Sequence, residues 1–212
     1  MNKGILGKKL GMTQIFDAED GRAIPVTVVE AGPCSVVQIK TVENDGYNGL
    51  QIGFGDIKPK KVNKPMDGHF KKAGLEPKRY LRELKLDDIA NYQIGNVIDV
   101  NIFAPGDRID VVATSKGKGF AGMIKRWHAH RGPMAHGSKY HRRVGSLGAS
   151  SSPERVFKGR HMPGHMGNDR VTVQNLEIVK TYPEKNLMLI KGSVPGIRGS
   201  LLYIKDSIKV NR

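Results

Sequence analysis

The sequence predicts a mainly β fold in which a closed or nearly closed barrel is interrupted by a long basic loop. Three observations lead to this prediction. Short β-branched segments separated by turn residues lie on both sides of the loop. Helical periodicity is scarce along the chain, and residues 116–170 show neither the helical nor a sustained strand period. Many short strands joined by tight turns favour a closed barrel, because closure leaves no unpaired sheet edge.

The strands before the loop are rich in β-branched residues and are bounded by turn residues. The turn sequences Ala-Gly-Pro at 31–33 and Asn-Asp-Gly at 44–46 separate the first three strands. Residues 109–112 are apolar except for Asp110, a more continuous pattern that predicts a strand buried on both faces. Strands in this part of the chain are predicted at residues 24–30, 35–42, 50–54, 97–101 and 108–114.

Three further strands are predicted after the loop, at residues 171–179, 187–191 and 201–209. Residues 171–179 mostly alternate between apolar and polar side chains, which predicts one buried and one solvated face. The strands on the two sides of the loop would together form the barrel. We assign residues 1–57, 93–115 and 171–212 to it.

A smaller basic insertion interrupts the barrel segments at residues 58–92. Residues 58–82 carry nine Lys and Arg against Asp67 and Glu76. The best helical pattern of the chain covers residues 84–92, and a weaker turn is predicted near residues 68–73. We therefore predict a basic, partly helical insertion.

The charge balance points to a polyanionic partner. The chain of 212 residues has 35 Lys and Arg against 20 Asp and Glu, a net charge of +15. An excess of this size favours binding to nucleic acid or to an anionic membrane surface. Residues 116–170 account for +10 of it, and no acidic residue occurs between Asp110 and Glu154. The partner is therefore expected to bind this segment first.

The single cysteine and the apolar content exclude several classes of protein. With Cys34 alone, the chain can form neither an intramolecular disulfide nor a multi-cysteine zinc site. One idle thiol fits a reducing compartment. No apolar run approaches the roughly 20 residues needed to cross a bilayer. The apolar stretch near the N-terminus is too short for a secretory signal, so we expect a cytoplasmic protein without a membrane partner.

Residues 116–170 cannot build a core of their own. Large apolar residues are few there, whereas the segment holds ten glycines and six of the seven histidines. Such a composition does not offset the conformational entropy lost on ordering. A loop this long is normally functional or ordered by a partner. We predict an extended arm that folds against nucleic acid.

A dinucleotide site is the first alternative for this loop. Gly117, Gly119 and Gly122 have the spacing of the dinucleotide-binding glycine motif. That motif requires a helix of normal length and an acid about 20 residues later. Gly132-Pro133 would end such a helix early, and the next acid is Glu154. The glycines more plausibly let the backbone lie close to phosphate.

A metal site is the second alternative. His128 and His130 form one pair of potential ligands, and His161 and His165 form another. Pro163 and Gly164 prevent the second pair from sharing a helix face. Neighbouring cations also disfavour a bound metal ion. No metal and no cofactor is therefore predicted.

Catalysis is the third alternative, and candidate groups are few. The paired carboxylates Asp87-Asp88 and the group Asp17, Glu19 and Asp20 have the character of helix-start and turn residues. Cys34 has no histidine within 30 residues of sequence. We predict no catalytic residues and no small-molecule substrate.

Cations mixed with flat rings and glycine are typical of structured RNA recognition, in which arginine binds phosphate and aromatic rings stack on bases. For any one of these residues, a solvated surface charge remains the alternative. Trp127, Tyr140 and Phe157 could stack on bases or pack within the protein. The predicted RNA-binding residues are Lys116, Lys118, Lys125, Arg126, Trp127, His128, His130, Arg131, Lys139, His141, Arg142, Arg143, Arg155, Lys158, Arg160, His161 and Arg170 in the loop, and Lys3, Lys8, Lys9, Lys60, Lys61, Lys71 and Lys72 outside it.

Seven segments of the sequence, in order, resemble the bacterial large-subunit ribosomal protein L3 family. The resemblance therefore covers essentially the whole chain. The segments are GILGKKLGMTQIF at 4–16, SKGKGFAG at 115–122, HGS at 136–138, VFKG at 156–159, MPGHMG at 162–167, RVTVQNL at 170–176 and LIKGSVPG at 189–196.

The resemblance implies a six-stranded barrel similar to the second domain of translation elongation factors, with a long basic extension. It also implies a structural constituent of the large ribosomal subunit that binds ribosomal RNA directly, nucleates subunit assembly and contacts neighbouring subunit proteins. The tip of the extension, residues 144–153, is expected near the peptidyl transferase centre. The tip residues are Gly145, Ser146, Leu147, Gly148, Ala149, Ser150, Ser151, Ser152 and Pro153.

One feature of the tip departs from the family pattern. Many bacterial members carry a glutamine there that is methylated on its side-chain amide. The sequence Ala-Ser-Ser-Ser at 149–152 stands in its place, so this modification is not expected here. The competing hypothesis for the whole chain is a free RNA-binding or RNA-modifying protein that uses the same arm.

Overall fold

The computed structural model describes residues 3–17, 21–86, 89 and 91–209. The chain divides into two units. The barrel unit consists of Met1–Thr114 and Arg170–Arg212, and the loop unit consists of Ser115–Asp169. The predicted loop, 116–170, differs from the second unit by one residue at each end.

Strands dominate the described residues, and helices are short. The strands are β1 (Gly4–Phe16), β2 (Ala23–Ala31), β3 (Cys34–Lys40), β4 (Gly49–Asp56), β5 (Lys78–Leu84), β6 (Val97–Ile98), β7 (Arg108–Thr114), β8 (Phe120–Ala121), β9 (Gly164–His165), β10 (Arg170–Tyr182), β11 (Leu187–Lys191) and β12 (Leu201–Asp206). The α-helices are α1 (Val42–Asp45), α2 (Lys64–Lys72) and α3 (Met123–Trp127), and single 3-10 turns cover Pro59–Lys61, Val100–Ile102 and Pro183–Lys185. None of the helices in these residues is long and apolar enough to span a membrane.

Six strands of the barrel unit close into an antiparallel barrel, which confirms the predicted fold class. Their order is β1-β12-β7-β10-β11-β2. Alternate residues of each strand point inward, because the side-chain period of a strand is two. Ile109 and Val111 of β7 lie inside with Leu202 and Ile204 of β12. The prediction that this strand is buried on both faces is also confirmed, since the five central residues of β7, Asp110 included, are all buried.

The other strands of the barrel unit form a four-stranded sheet in the order β5-β4-β3-β6. The assignment of β3 and β4 to the barrel is therefore wrong. Their apolar residues pack into the same core as those of the barrel, so a local pattern could not distinguish the two sheets. Strand β4 pairs with β5, which lies within the predicted insertion. Leu84 of β5 stands opposite Leu50 of β4, and Tyr80 opposite Phe54.

The helix predicted over residues 84–92 is wrong where the structure describes it. Leu84 is fully buried and ends β5, and residues 85, 86 and 89 have no regular structure. Asp87, Asp88 and Ala90 lie outside the described residues. The helix of the insertion is instead α2, where only a weak turn was predicted. It begins after Asn63, whose side chain accepts a hydrogen bond from the Met66 N–H at 3.2 Å.

Strand β1 was not predicted. Its sequence contains glycines and adjacent lysines, and its pairing with β2 shifts register between Lys9 and Gly11. Such a bulge breaks the alternation by which strands are recognised. Strand β10 was predicted correctly, but Ile178 is its only buried residue, so the expected buried face is not continuous.

The thiol of Cys34 is enclosed in the core of the barrel unit. Its Sγ donates to the Leu6 carbonyl at 3.5 Å, and burial raises the pKa of Cys34 to about 12. We expect a disulfide reagent to modify Cys34 near neutral pH about a thousandfold more slowly in the folded protein than in concentrated guanidinium, because the thiolate is the reactive form. Absorbance of the released thiol measures both rates. Rapid reaction of the folded protein would contradict this placement.

Candidate nucleic-acid interface

The two ends of the loop unit pair with each other through backbone hydrogen bonds. The Ser115 N–H donates to the Asp169 carbonyl at 2.8 Å. The Lys118 N–H donates to the Met166 carbonyl, and the Met166 N–H to the Gly119 carbonyl, both at 2.9 Å. Strands β8 and β9 continue the pairing. The loop unit is therefore a doubled-back chain with a defined base.

Trp127 joins the two limbs beyond this base. Its indole stacks on the His161 ring with centroids 4.1 Å apart and planes 5° apart. The indole N–H and an Arg126 guanidinium N–H both donate to the Met162 carbonyl at 3.0 Å. The ring thus packs within the protein, which is one of the two alternatives left open for Trp127, and stacking on a base stays a prediction. Trp127 as a whole remains 40% exposed.

Three glycines allow chain segments of the loop unit to approach each other closely. A Cβ atom at Gly132 would overlap the Tyr140 carbonyl oxygen, and one at Gly164 would overlap the Arg126 guanidinium. Gly167 has a φ of +74°, and a Cβ atom there would overlap the Lys116 carbonyl. These three glycines therefore serve contacts inside the loop. The close approach to phosphate predicted for Gly117, Gly119 and Gly122 stays a prediction.

Replacing Gly167 by Ala is expected to weaken binding to large-subunit ribosomal RNA about tenfold, because the pairing at the loop base must open to admit the methyl group. The global free energy of unfolding should change by less than about 0.5 kcal/mol, because the loop unit contributes almost nothing to the core. The matched control is Gly122→Ala, since nothing lies within 4 Å of a Cβ atom there. Equal losses in filter-binding affinity for both variants would contradict this role.

The loop unit buries almost nothing. Ala121 is the single buried residue among 115–169, all of which the structure describes. Phe120 and Phe157 are 80% and 60% exposed. A segment without a core gains little free energy from its own folding. Its surface is therefore free to pack against another molecule.

The charge of the loop unit is not neutralised within the protein. It carries eleven Lys and Arg but only Glu154 and Asp169. None of these eleven cations forms a salt bridge with a described residue. Three arginines lie over aromatic rings instead: Arg126 over Trp127 at 5.1 Å from the ring centroid, and Arg143 over Tyr140 and Arg155 over Phe157 at 5.6 Å. A guanidinium on a ring keeps its N–H groups available for phosphate.

Two backbone carbonyls of the tip accept hydrogen bonds from side chains. The Ser146 hydroxyl donates to the Gly148 carbonyl at 3.1 Å, and the Arg160 guanidinium donates to the Ser146 carbonyl. Residues 144–153 include no ionisable side chain. The tip can therefore bind by shape and hydrogen bonding, and its sequence includes no acid, base or thiol.

The predicted RNA-binding cations of the barrel unit differ in availability. Lys8, Lys60, Lys61 and Lys72 are exposed. Lys3 bonds to Asp107 at 3.3 Å and lies 6.0 Å from the Phe103 ring centroid. Lys71 pairs with Asp67 one helical turn away at 2.7 Å. Such exposed ion pairs are weak, so Lys3 and Lys71 can still exchange partners.

Lys9 is buried, which argues against its predicted role in RNA binding. Its side chain lies within the barrel unit and is 7% exposed. The ammonium donates to the Val194 carbonyl at 2.6 Å and to the Gly196 carbonyl at 3.2 Å. Neighbouring residues of a strand face opposite sides, so Lys8 is exposed whereas the adjacent Lys9 is buried.

The groups considered for catalysis or metal binding are not brought together among the described residues. No cluster of three potential metal ligands occurs there. His161 stacks on Trp127, and His141 Nδ1 bonds to the Pro133 carbonyl at 2.8 Å. The acids Glu19, Asp20, Asp87 and Asp88 lie outside the described residues.

Comparisons with known proteins agree with this resemblance over nearly the full chain. The family model described as ribosomal protein L3 matches residues 84–185, a range that includes the whole loop unit. The large ribosomal subunit protein uL3 of Carboxydothermus hydrogenoformans is 66% identical over 209 residues, which cover 99% of this chain and 99% of that protein.

Proposed function

This chain belongs to the ribosomal protein L3 family, and from that membership and its geometry we propose a role for the loop unit. As a family member it is a structural constituent of the large subunit of the cytoplasmic ribosome and binds ribosomal RNA. Its partners are that RNA and other ribosomal proteins. Within this function, the loop unit is the principal RNA-binding element.

The observation that carries this proposal is the unpaired charge of residues 115–169. Eleven cations in a segment with one buried residue would repel one another without a counter-charge. RNA phosphates supply that charge, and each neutralised phosphate releases counterions. RNA also covers the exposed rings, which can stack on unpaired bases. The loop unit thus gains from RNA both the charge and the packing that it lacks.

The tip, residues 144–153, is proposed to lie near the peptidyl transferase centre and to shape the RNA there. The family resemblance supports the location. The absence of an ionisable side chain supports a role in positioning RNA over one in the reaction. We likewise propose that the whole chain acts by binding and is not an enzyme.

Sedimentation of a lysate tests the function. A tagged full-length chain should migrate with large subunits on a sucrose gradient and remain with them through salt washing. A chain found only in the light fractions would favour the competing hypothesis of a free RNA-binding or RNA-modifying protein.

Nucleation of assembly is a separate part of the proposal and has its own test. Depletion of the chain in growing cells should leave incomplete particles that lack many other large-subunit proteins, because a nucleating protein binds before most of them. Mass spectrometry gives the composition of these particles. Particles that lack this chain alone would contradict nucleation while leaving ribosomal membership intact.

A further inference from the structure

A cleft of about 810 Å³ lies within the barrel unit, between the four-stranded sheet and the outer surface of the barrel. Strand β5 and the residue after it contribute Tyr80, Arg82 and Lys85 to one wall. Strands β7, β10 and β12 contribute the other wall. The volume falls in the range of pockets that enclose a ligand.

The register of the barrel strands explains why one set of side chains lines the cleft. Tyr203 of β12 stands opposite Val112 of β7, which stands opposite Thr172 of β10. Two residues along, Thr114 stands opposite Arg170. Residues two apart on a strand share a face, so these side chains form a continuous surface outside the barrel.

The cleft is strongly positive. Arg82, Lys85, Arg170 and Lys205 line it, and none of the four forms a salt bridge with a described residue. Glu83 is the only acid in the lining.

The charge of Glu83 is already matched. Lys40 bonds to its carboxylate at 2.7 Å and the Tyr47 hydroxyl donates to it at 2.6 Å. These two bonds hold the pKa of Glu83 below its usual range. No ion pair with a described residue therefore neutralises the four cations, although Lys85 also helps to lower the pKa of Glu83 and Lys205 stands opposite Asp110 of β7.

The remaining polar groups of the cleft are hydrogen-bond donors suited to phosphate. Thr114 and Thr172 present hydroxyls beside the cations, whereas the Ser200 hydroxyl already donates to the Ile197 carbonyl at 2.8 Å. The ring of Tyr203 is half-buried, and burial raises the pKa of its hydroxyl, which therefore stays a donor at neutral pH. Phosphodiester oxygens only accept hydrogen bonds, so a lining of donors matches them.

The two tyrosines favour unpaired RNA over an RNA duplex or an acidic peptide. Tyr80 and Tyr203 present aromatic rings in the two walls, and such rings stack on bases that are free of a partner strand. An acidic peptide would add to a sheet edge by backbone hydrogen bonds. On β5 the Arg82 guanidinium already donates to the Leu81 carbonyl at 2.9 Å, which places this side chain beside the strand backbone and obstructs an added strand.

We propose that this cleft binds a single-stranded segment of large-subunit ribosomal RNA, with Arg82, Arg170 and Lys205 on phosphates and the tyrosines against bases. The inference rests on the proposed function, because it assumes that RNA is the partner. It adds an RNA site formed entirely by the barrel unit. Of its cations, only Arg170 was predicted from the sequence.

The test uses the full-length chain and purified large-subunit ribosomal RNA in filter-binding titrations over a series of salt concentrations. The cleft variant Arg82→Gln with Lys205→Gln should weaken binding about tenfold. It should also lower the slope of log affinity against log salt by about two, one for each lost phosphate contact. The matched control is Lys180→Gln with Lys185→Gln, which removes the same charge from exposed residues of the same unit outside the cleft. Urea unfolding checks that all variants fold.

A second measurement tests whether RNA contacts the cleft in the assembled large subunit. Ultraviolet crosslinking of large subunits, followed by mass spectrometry, should attach nucleotides to Tyr80 or Tyr203. Equal salt slopes for the cleft variant and its control would overturn the proposal, as would crosslinks from the cleft to another ribosomal protein. Because the loop unit would still bind RNA in those cases, either result leaves the proposed function standing. A wild-type chain without affinity for the RNA would instead remove the proposed function itself.

Discussion

Replacing five lysines of the loop unit by glutamine should lower the affinity for large-subunit ribosomal RNA by about a thousandfold at physiological salt. The slope of log affinity against log salt should fall by about four to five, because each phosphate contact contributes about 0.9. All five side chains are exposed, and none forms a salt bridge with a described residue. They are Lys116, Lys118, Lys125, Lys139 and Lys158.

The matched control replaces the same five lysines by arginine. This variant retains the charge and the salt slope, so its affinity should stay within about threefold of the wild type. Urea unfolding should give the same free energy for all three proteins, because these side chains contribute nothing to the core. An undiminished affinity of the glutamine variant would show that the loop charge is only a solvated surface.

Replacing Lys9 by Ala should lower the free energy of unfolding by about 3 kcal/mol. The ammonium bonds to two carbonyls in the connection between β11 and β12, at Val194 and Gly196. Without it, these acceptors lose their partner in a site that stays closed to water. The cost is that of buried polar groups left unpaired, added to the lost packing of the lysine stem.

The neighbouring lysine provides the control. Lys8→Ala removes an exposed side chain from the same strand and should change the free energy of unfolding by less than about 0.5 kcal/mol. Urea titration followed by circular dichroism measures both variants. If Lys9 served RNA instead, Lys9→Ala would leave the unfolding curve unchanged and weaken RNA binding. That result would restore the interpretation made from sequence.

The sequence predicted the barrel strands where local pattern and tertiary environment agree. Strand β7 is buried on both faces, as its mostly apolar sequence indicates. It did not predict β1, whose bulge between Lys9 and Gly11 removes the alternation. It also placed β3 and β4 in the wrong sheet, because an apolar strand does not encode which neighbour it pairs with.

The charge of the candidate site could be predicted from the sequence, but the contacts between its residues could not. The exclusion of acids from 43 residues identified the loop directly. The pairing of Trp127 with His161 depends on two segments 34 residues apart, for which no local signal exists. The role of Gly132 also depends on a distant carbonyl, that of Tyr140. The composition therefore predicts a polyanionic partner, whereas the contacts among the loop residues are seen only in the structure.

Hydrogen exchange of the isolated chain and of the chain in assembled large subunits tests the central claim most directly, namely that the loop unit packs against RNA. In the isolated chain, backbone amides of residues 128–160 should exchange rapidly, since most have no backbone partner, while those of the barrel strands stay protected. In the subunit the loop amides should exchange at least about a hundredfold more slowly. Equal exchange of the loop unit in both states would contradict the claim.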